Sequence, residues 1–227
     1  MNIFFLHQNP FVSAQYHCDK HVIKMITETA QMLSTAHRIL DGKMILEEKF
    51  YVRKPKTDKS GNIIIKFQKR KIKRWVLTDR REDILHLATH INHPCNKWVR
   101  GSYSNYEWTR LLLGGLLAEY DLRYSDPGDK ETIKSNFKKF SKARQIYRLN
   151  IPANIPDIFL ENSMTIDGRN DATIPPLAMP DIYKEKEIKH IDSIIRSYRR
   201  YYLFEKLKFA TWRSPRKIPE WVPIEIV

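Results

Sequence analysis

Val22, Met25, Ile26, Ala30, Leu33, Ala36 and Leu40 recur at spacings of three and four, with few gaps. That spacing lines them along one side of an α-helix. It predicts one long helix from Phe11 to about Leu40. The "DG" at 41–42 closes it, with Gly42 a natural stop. A long helix with one apolar side must bury that side against other elements.

Similar patterns follow. Trp108, Leu112, Leu116 and Tyr120 repeat at helical spacing in "NKWVRGSYSNYEWTRLLLGGLLAEYDLRY", with Ser102 or Ser104 as the N-cap. "DILHLATHINHP" reads as a short helix and a turn closed by Pro94. "KETIKSNFKKFSKARQIY" reads as a basic amphipathic helix, and a last helix is expected from about Lys184 to Trp212. The opening "MNIFFLHQNP" suits a short buried strand or extended arm, and it lacks the basic start of a secretory signal. Residues 149–183 hold five of the twelve prolines but keep many apolar residues, which suits a structured loop. The expected fold is mainly α: a single helical domain over 1–227.

One segment breaks the pattern. Residues 43–77 are rich in β-branched and aromatic residues around a central "SGN", which predicts a β-hairpin insertion. From Lys49 to Arg74 there are eleven Lys or Arg against one acidic residue, Asp58. Phe50, Tyr51, Phe67 and Trp75 are interleaved with them. A basic ribbon with aromatics suits a nucleic-acid backbone and stacked bases. The bland alternative is an exposed insertion whose lysines keep its edges from aggregating.

The whole chain carries 40 Lys and Arg against 26 Asp and Glu, a formal charge of +14. Such an excess favours an anionic partner, with nucleic acid ahead of a membrane surface. No apolar run is long enough to span a bilayer. Two cysteines, Cys18 and Cys95, make no disulfide framework and fit a reducing, intracellular compartment. Seven glycines in 227 residues leave no phosphate-cradling loop, and no GxSxG is present.

On the first helix, His17, His21, Lys24 and Glu28 fall within about 40° of one line at 100° per residue. If this stripe lines a cleft, Glu28 beside imidazoles and an ammonium is a ready general acid/base. A charged helix face is also commonly a solvated one. His17 and His21 could share a metal with His86, His90, His93, Cys18 or Cys95, but no recognised ligand spacing supports this. We therefore expect no metal and no cofactor. Near the end, "SYRRYYLFEKLKF" (197–209) packs four cations and five aromatic rings into one helix, offering phosphate contacts and stacking surfaces.

"DKHVIKMITE" (19–28) followed by "NHPCNKWVRGSYSNYEW" (92–108) resembles phage and viral proteins related to the pyrimidine-dimer DNA glycosylases of the endonuclease V type. The resemblance covers these two blocks and, loosely, "YRRYY" (198–202). It implies a helical domain that flips a nucleotide. An N-terminal amine then cuts the glycosidic bond, and β-elimination cleaves the strand. The family's D-x-H with a glutamate seven residues on maps to Asp19, His21 and Glu28. The sequence departs at Asn2, where the family has a small residue whose amine is exposed by methionine removal. Here Met1 is the alternative carrier. It departs again at Thr27, where the family has a cation, and the insertion at 43–77 has no counterpart.

The resulting expectation is a monomeric DNA-processing enzyme, a glycosylase with possible AP-lyase activity on double-stranded DNA, in a host cytoplasm if viral. Glu28, Met1, Asn2, His21 and Lys24 are its candidate catalytic residues. His17, Lys20, Trp98, Arg100, Arg199, Arg200, Tyr201, Tyr202 and Lys206 are its candidate nucleic-acid contacts. Rival readings are a DNA base-modifying enzyme, a non-catalytic nucleic-acid-binding protein and a metal-dependent nuclease.

Overall fold

The structure, a computed structural model, describes residues 1–52, 54–57, 60–61, 63–65, 67–126, 128–156, 164–166, 169–188 and 190–223. The chain is mainly α with a β-hairpin. An extended arm (1–9) leads into α1 (Pro10–Tyr16) and α2 (Asp19–Asp41). The hairpin follows: β1 (Lys43–Val52), β2 (Lys56–Thr57), β3 (Ile63–Ile64) and β4 (Phe67–Val76). Then come α3 (Arg81–Ile84), α4 (Pro94–Val99), α5 (Tyr103–Tyr124), α6 (Lys130–Lys139) and α7 (Ser141–Tyr147). A small pair, β5 (Met164–Ile166) and β6 (Arg169–Ala172), precedes α8 (Ile191–Glu205).

The core is one cluster of buried side chains from the arm, α2, α4, α5 and α8, with Ile3, Phe5, Met25, Leu33, Leu112 and Tyr198 all fully buried. The arm is a buried strap without regular structure, as its apolar run required. Helices α1 and α5 approach closely because α5 carries Gly115. A Cβ there would come within 2.8 Å of the Ala14 side chain. Gly114 makes the same kind of room for Tyr147, whose ring would lie 2.6 Å from an added Cβ.

The single helix expected over 11–40 is two helices. Pro10 begins α1, capped by the Asn9 side chain, and the chain turns extended at His17 and Cys18 before α2. The reason is tertiary. Arg123, a fully buried guanidinium, donates to the carbonyls of His17 at 2.8 Å and Gln15 at 2.9 Å. It also pairs with Asp19 at 3.1 Å and Glu119 at 2.9 Å. The Cys18 N–H is taken by the Tyr202 hydroxyl at 2.8 Å and that of Asp19 by the Thr211 carbonyl at 2.8 Å. These partners satisfy the backbone groups that a helix would otherwise pair, so the break carries no orphan penalty. The C-terminal tail joins the same knot, with Arg216 on Glu119 at 2.6 Å.

Other boundaries shift for local reasons. The expected helix over 130–147 divides at Phe140 into α6 and α7. The last helix is confined to Ile191–Glu205, followed by a 3-10 turn at Leu207–Phe209. Ser102 is the N-cap of α5, its side chain accepting from the Asn105 N–H at 3.2 Å.

The insertion at 43–77 is a two-stranded antiparallel ribbon, with β1 and β4 in register from Lys43↔Val76 to Val52↔Phe67. Its root is tied down by Arg38, whose side chain is 1 % exposed. That guanidinium donates to the carbonyls of Trp75 at 2.8 Å and His86 at 2.6 Å and pairs with Glu82 at 2.6 Å.

Candidate active site at the N-terminus

The arm and α2 bring the chain's first amine to a carboxylate. The Met1 α-amine lies 3.8 Å from Glu28 Oε2, and the Asn2 backbone N–H donates to the same oxygen at 3.0 Å. Lys24, one turn earlier on α2, stands 3.3 Å from the other oxygen, Oε1. The Glu28 side chain is 16 % exposed, so the group is sheltered but reachable; the Lys24 side chain is 61 % exposed.

Several contacts fix this placement. The Asn2 side chain accepts from the N–H groups of Ile3 at 2.7 Å and Phe4 at 3.0 Å, and donates to the Ala178 carbonyl at 2.9 Å. The Met1 side chain is only 2 % exposed. Asn96 on α4 reaches its sulfur at 3.1 Å and also donates to the carbonyls of Thr89 and His90, each at 2.9 Å. Phe4 and His90 are the described non-glycine residues with positive φ, at 40° and 48°. Backbone in that region is costly for residues with a side chain and persists only where the surroundings hold it. Both lie beside Met1 in the chain or through Asn96.

The aromatic floor of the site is packed. The Phe4 ring stacks on His21 at 4.5 Å and parallel to Tyr201 at 6.1 Å. The Tyr202 hydroxyl accepts from Cys18 N–H and is hydrogen-bonded to His21 Nδ1 at 2.8 Å. Burial, followed by the charges of His17, Lys24 and Lys206, pushes His21 down to about 3. The ring is neutral at neutral pH and buried, so it is a support for the arm rather than a proton carrier. His21, expected to be catalytic, thus lies buried against the Phe4 ring. His17, expected as a nucleic-acid contact, also lies inside. It is fully buried, donates from Nδ1 to the Ser13 carbonyl at 2.7 Å, and burial pushes it down to about 4. Of the four-residue ladder, only Lys24 and Glu28 face an accessible site, because the chain breaks before α2 and Phe4 covers His21.

The contact candidates also divide. Tyr202 is fully buried, and Trp98 is 6 % exposed with its indole N–H on the Thr173 carbonyl at 2.9 Å. Neither presents a wedge or stacking face to a ligand, since the core uses both. Arg199 donates to the Leu6 carbonyl at 3.1 Å and lies over the rings of Tyr16 and Trp221, clamping the arm to the tail. Arg100 is half-buried, and burial lowers its pKa. Arg200 is exposed and pairs with Glu185 at 3.0 Å. Lys20 is exposed over Phe209, and half-buried Lys206 lies 4.6 Å from the centre of the half-buried Tyr201 ring. Lys20, Lys24, Lys206 and Tyr201 thus form a cationic and aromatic rim near Phe4 and His21.

Asn96 carries no role in the sequence analysis, and His93 and Cys95 enter it only as candidate metal ligands. They sit in "NHPCNKW", the second of the two blocks that carry the resemblance. His93 is lowered by burial first, then by the N-terminal amine and His90, with Glu28 opposing. Burial pushes the Cys95 thiol up to about 12, so it is no thiolate nucleophile. Among the described residues, no group of three or more His, Cys, Asp or Glu is placed to hold a metal ion. No helix among them is long and apolar enough to cross a membrane.

A primary amine and a sheltered carboxylate in one site can perform imine chemistry. The amine supplies the nucleophile, and the carboxylate moves protons and stabilises developing positive charge. Comparison with protein-family models, with curated proteins and with solved structures finds no match to this chain.

Proposed function

We propose that this chain is a DNA-processing enzyme that acts at the glycosidic bond of a flipped nucleotide through its N-terminal amine. The observation that carries the reading is the Met1 amine at 3.8 Å from Glu28, with Asn2 N–H on the same carboxylate oxygen. The amine attacks C1′, and the glycosidic bond breaks with its electrons leaving on the base, which takes up a proton. The attached nitrogen gives up one proton, the C1′–O4′ bond breaks with O4′ taking up a proton, and a protonated imine to C1′ remains. Removal of a C2′ proton then expels the 3′ phosphate by β-elimination. Glu28 is the group within reach for these proton transfers. Lys24, Lys20 and Lys206 offer phosphate contacts, and the net charge of +14 supports a polyanionic substrate.

The test is borohydride trapping on duplex DNA carrying an abasic site or a thymine dimer. A covalent adduct mapping to the first residue's α-amine is expected. Absence of any adduct on either substrate, with DNA binding retained, would overturn the imine route.

One observation favours a second reading. Glu28 is already engaged by Lys24, the Met1 amine and Asn2 N–H, which suits a purely structural anchor for the arm. The chain is then a DNA-binding protein without catalysis. The same trapping experiment separates the two.

A further inference from the structure

We propose that the β1–β4 ribbon is an arm that lies in the major groove of duplex DNA; this rests on the DNA-binding half of the reading above. The ribbon has ten paired rungs, and among the described residues no further strand pairs with either edge. At its root it is fastened to the body through Arg38 on Trp75 and Arg74 on Glu82.

Its dimensions suit the groove. Ten residues per strand span about 34 Å, close to one turn of B-DNA. The major groove is about 12 Å wide and admits a two-stranded ribbon. The root also has a fixed relation to the candidate active site. Glu28 and the end of α2 at Asp41 are separated by about 20 Å of continuous helix, roughly six base pairs of duplex.

Its chemistry selects the partner. The register puts Leu46, Glu48, Phe50, Val52 and Phe67 on one face with Lys69, Lys71 and Lys73. Phe50 is 71 % and Phe67 70 % exposed. Lysines alone would be explained as protection of an open edge. Large exposed rings on the same face are not, because they add the very stickiness that such lysines suppress. A surface that is apolar and cationic together fits base edges, thymine methyls and phosphates at once. Among the described residues, Lys71 and Lys73 form no ion pair, whereas Lys69 is paired with Glu48 at 2.5 Å. The deep, narrow major groove of an RNA duplex does not admit such a ribbon.

Two variants test this. In one, Lys69, Lys71 and Lys73 are changed to Ser in the full chain. In the other, residues 47–72 are replaced by Asn-Gly, a two-residue hairpin turn that keeps the root rungs. Affinity for a B-form DNA duplex, a duplex RNA, a single strand and polyglutamate is measured across a salt series. For duplex DNA the slope of log K against log salt is expected to fall by about 2–3, with at least about tenfold weaker binding at physiological salt. Binding to duplex RNA and polyglutamate should be unaffected. An unchanged slope in both variants overturns the proposal. So does an equal loss on RNA or polyglutamate, which would make the ribbon a general anion-binding or acidic-protein surface. Trapping on an abasic duplex is run alongside. An adduct with ribbon-independent binding removes the arm and keeps the active site. Ribbon-dependent binding with no adduct removes the chemistry and keeps the arm.

Discussion

Glu28 and Asn2 are joined by a hydrogen bond from the Asn2 backbone N–H to Glu28 Oε2 at 3.0 Å, and it holds the first residue's amine at the carboxylate. Glu28→Gln keeps a carbonyl oxygen for that N–H but loses the charge and the proton-transfer capacity. We expect trapping and strand cleavage to fall by about 10²–10⁴. Stability should fall by only about 1 kcal/mol. Rate measurements paired with thermal melting check this, and full activity in the Gln variant would reduce Glu28 to an anchor.

The amine must be first in the chain to act. Adding Gly-Ser ahead of Met1 displaces it and leaves an amide nitrogen at Glu28. The buried Met1 side chain and its contact to Asn96 can remain. The extended protein is expected to bind DNA with unchanged affinity and to form no adduct with borohydride. An adduct that persists and maps to a lysine would move the nucleophile to Lys24.

Two tyrosines one residue apart on α8 should behave oppositely. Tyr202 is buried, with its hydroxyl between Cys18 N–H and His21 Nδ1. Tyr202→Phe orphans a buried N–H and should cost about 1–3 kcal/mol while leaving DNA affinity intact. Tyr201 is half-exposed beneath Lys206, and Tyr201→Ala should weaken binding to a flipped or single-stranded substrate by about 1–3 kcal/mol. Urea melts and binding isotherms on both variants separate the roles. Equal effects on the two quantities would contradict the assignment of Tyr202 to the core.

The helical class and the ribbon were legible because periodicity reports them directly: the stripe from Val22 to Ala36 is buried, and the run 43–77 is a hairpin. Glu28 was legible from a motif. The break at His17 was not, because its cause is Arg123, more than a hundred residues away, and helical spacing runs smoothly across it. The same blindness put His17 and His21 on one cleft-lining stripe with Lys24 and Glu28. Nothing in their spacing says that Phe4 and Tyr202 cover them. Asn96 was hidden for a different reason. Its task is to hold a methionine sulfur and two carbonyls, and no pattern in sequence marks such a contact. As a test of the knot, Arg123→Met takes the ion-pair partner from buried Asp19, leaves Glu119 with Arg216 alone, and should cost about 3–5 kcal/mol in chemical denaturation.

Buried histidines should make this protein acid-sensitive in a definite window. His17 and His37 are pushed down to about 4 and His21 to about 3, with burial the first cause for each. The unfolded chain takes up protons at these rings near pH 6.5, and the folded chain refuses them until far lower pH. Their contribution is therefore complete above about pH 6.5 and is lost as pH falls toward the folded values. Each costs on the order of 2 kcal/mol between about pH 6.5 and pH 5. The carboxylates act elsewhere. Asp41, Asp79 and Glu82 are lowered, so their stabilisation persists through this window and fades only in and below the ordinary carboxylate range. Urea midpoints at pH 7 and pH 5 measure the loss. His37→Gln, which removes one of the three rings, should reduce the difference between the two midpoints by about a third. Equal midpoints in the unaltered protein would show that these rings are accessible to protons in the folded state.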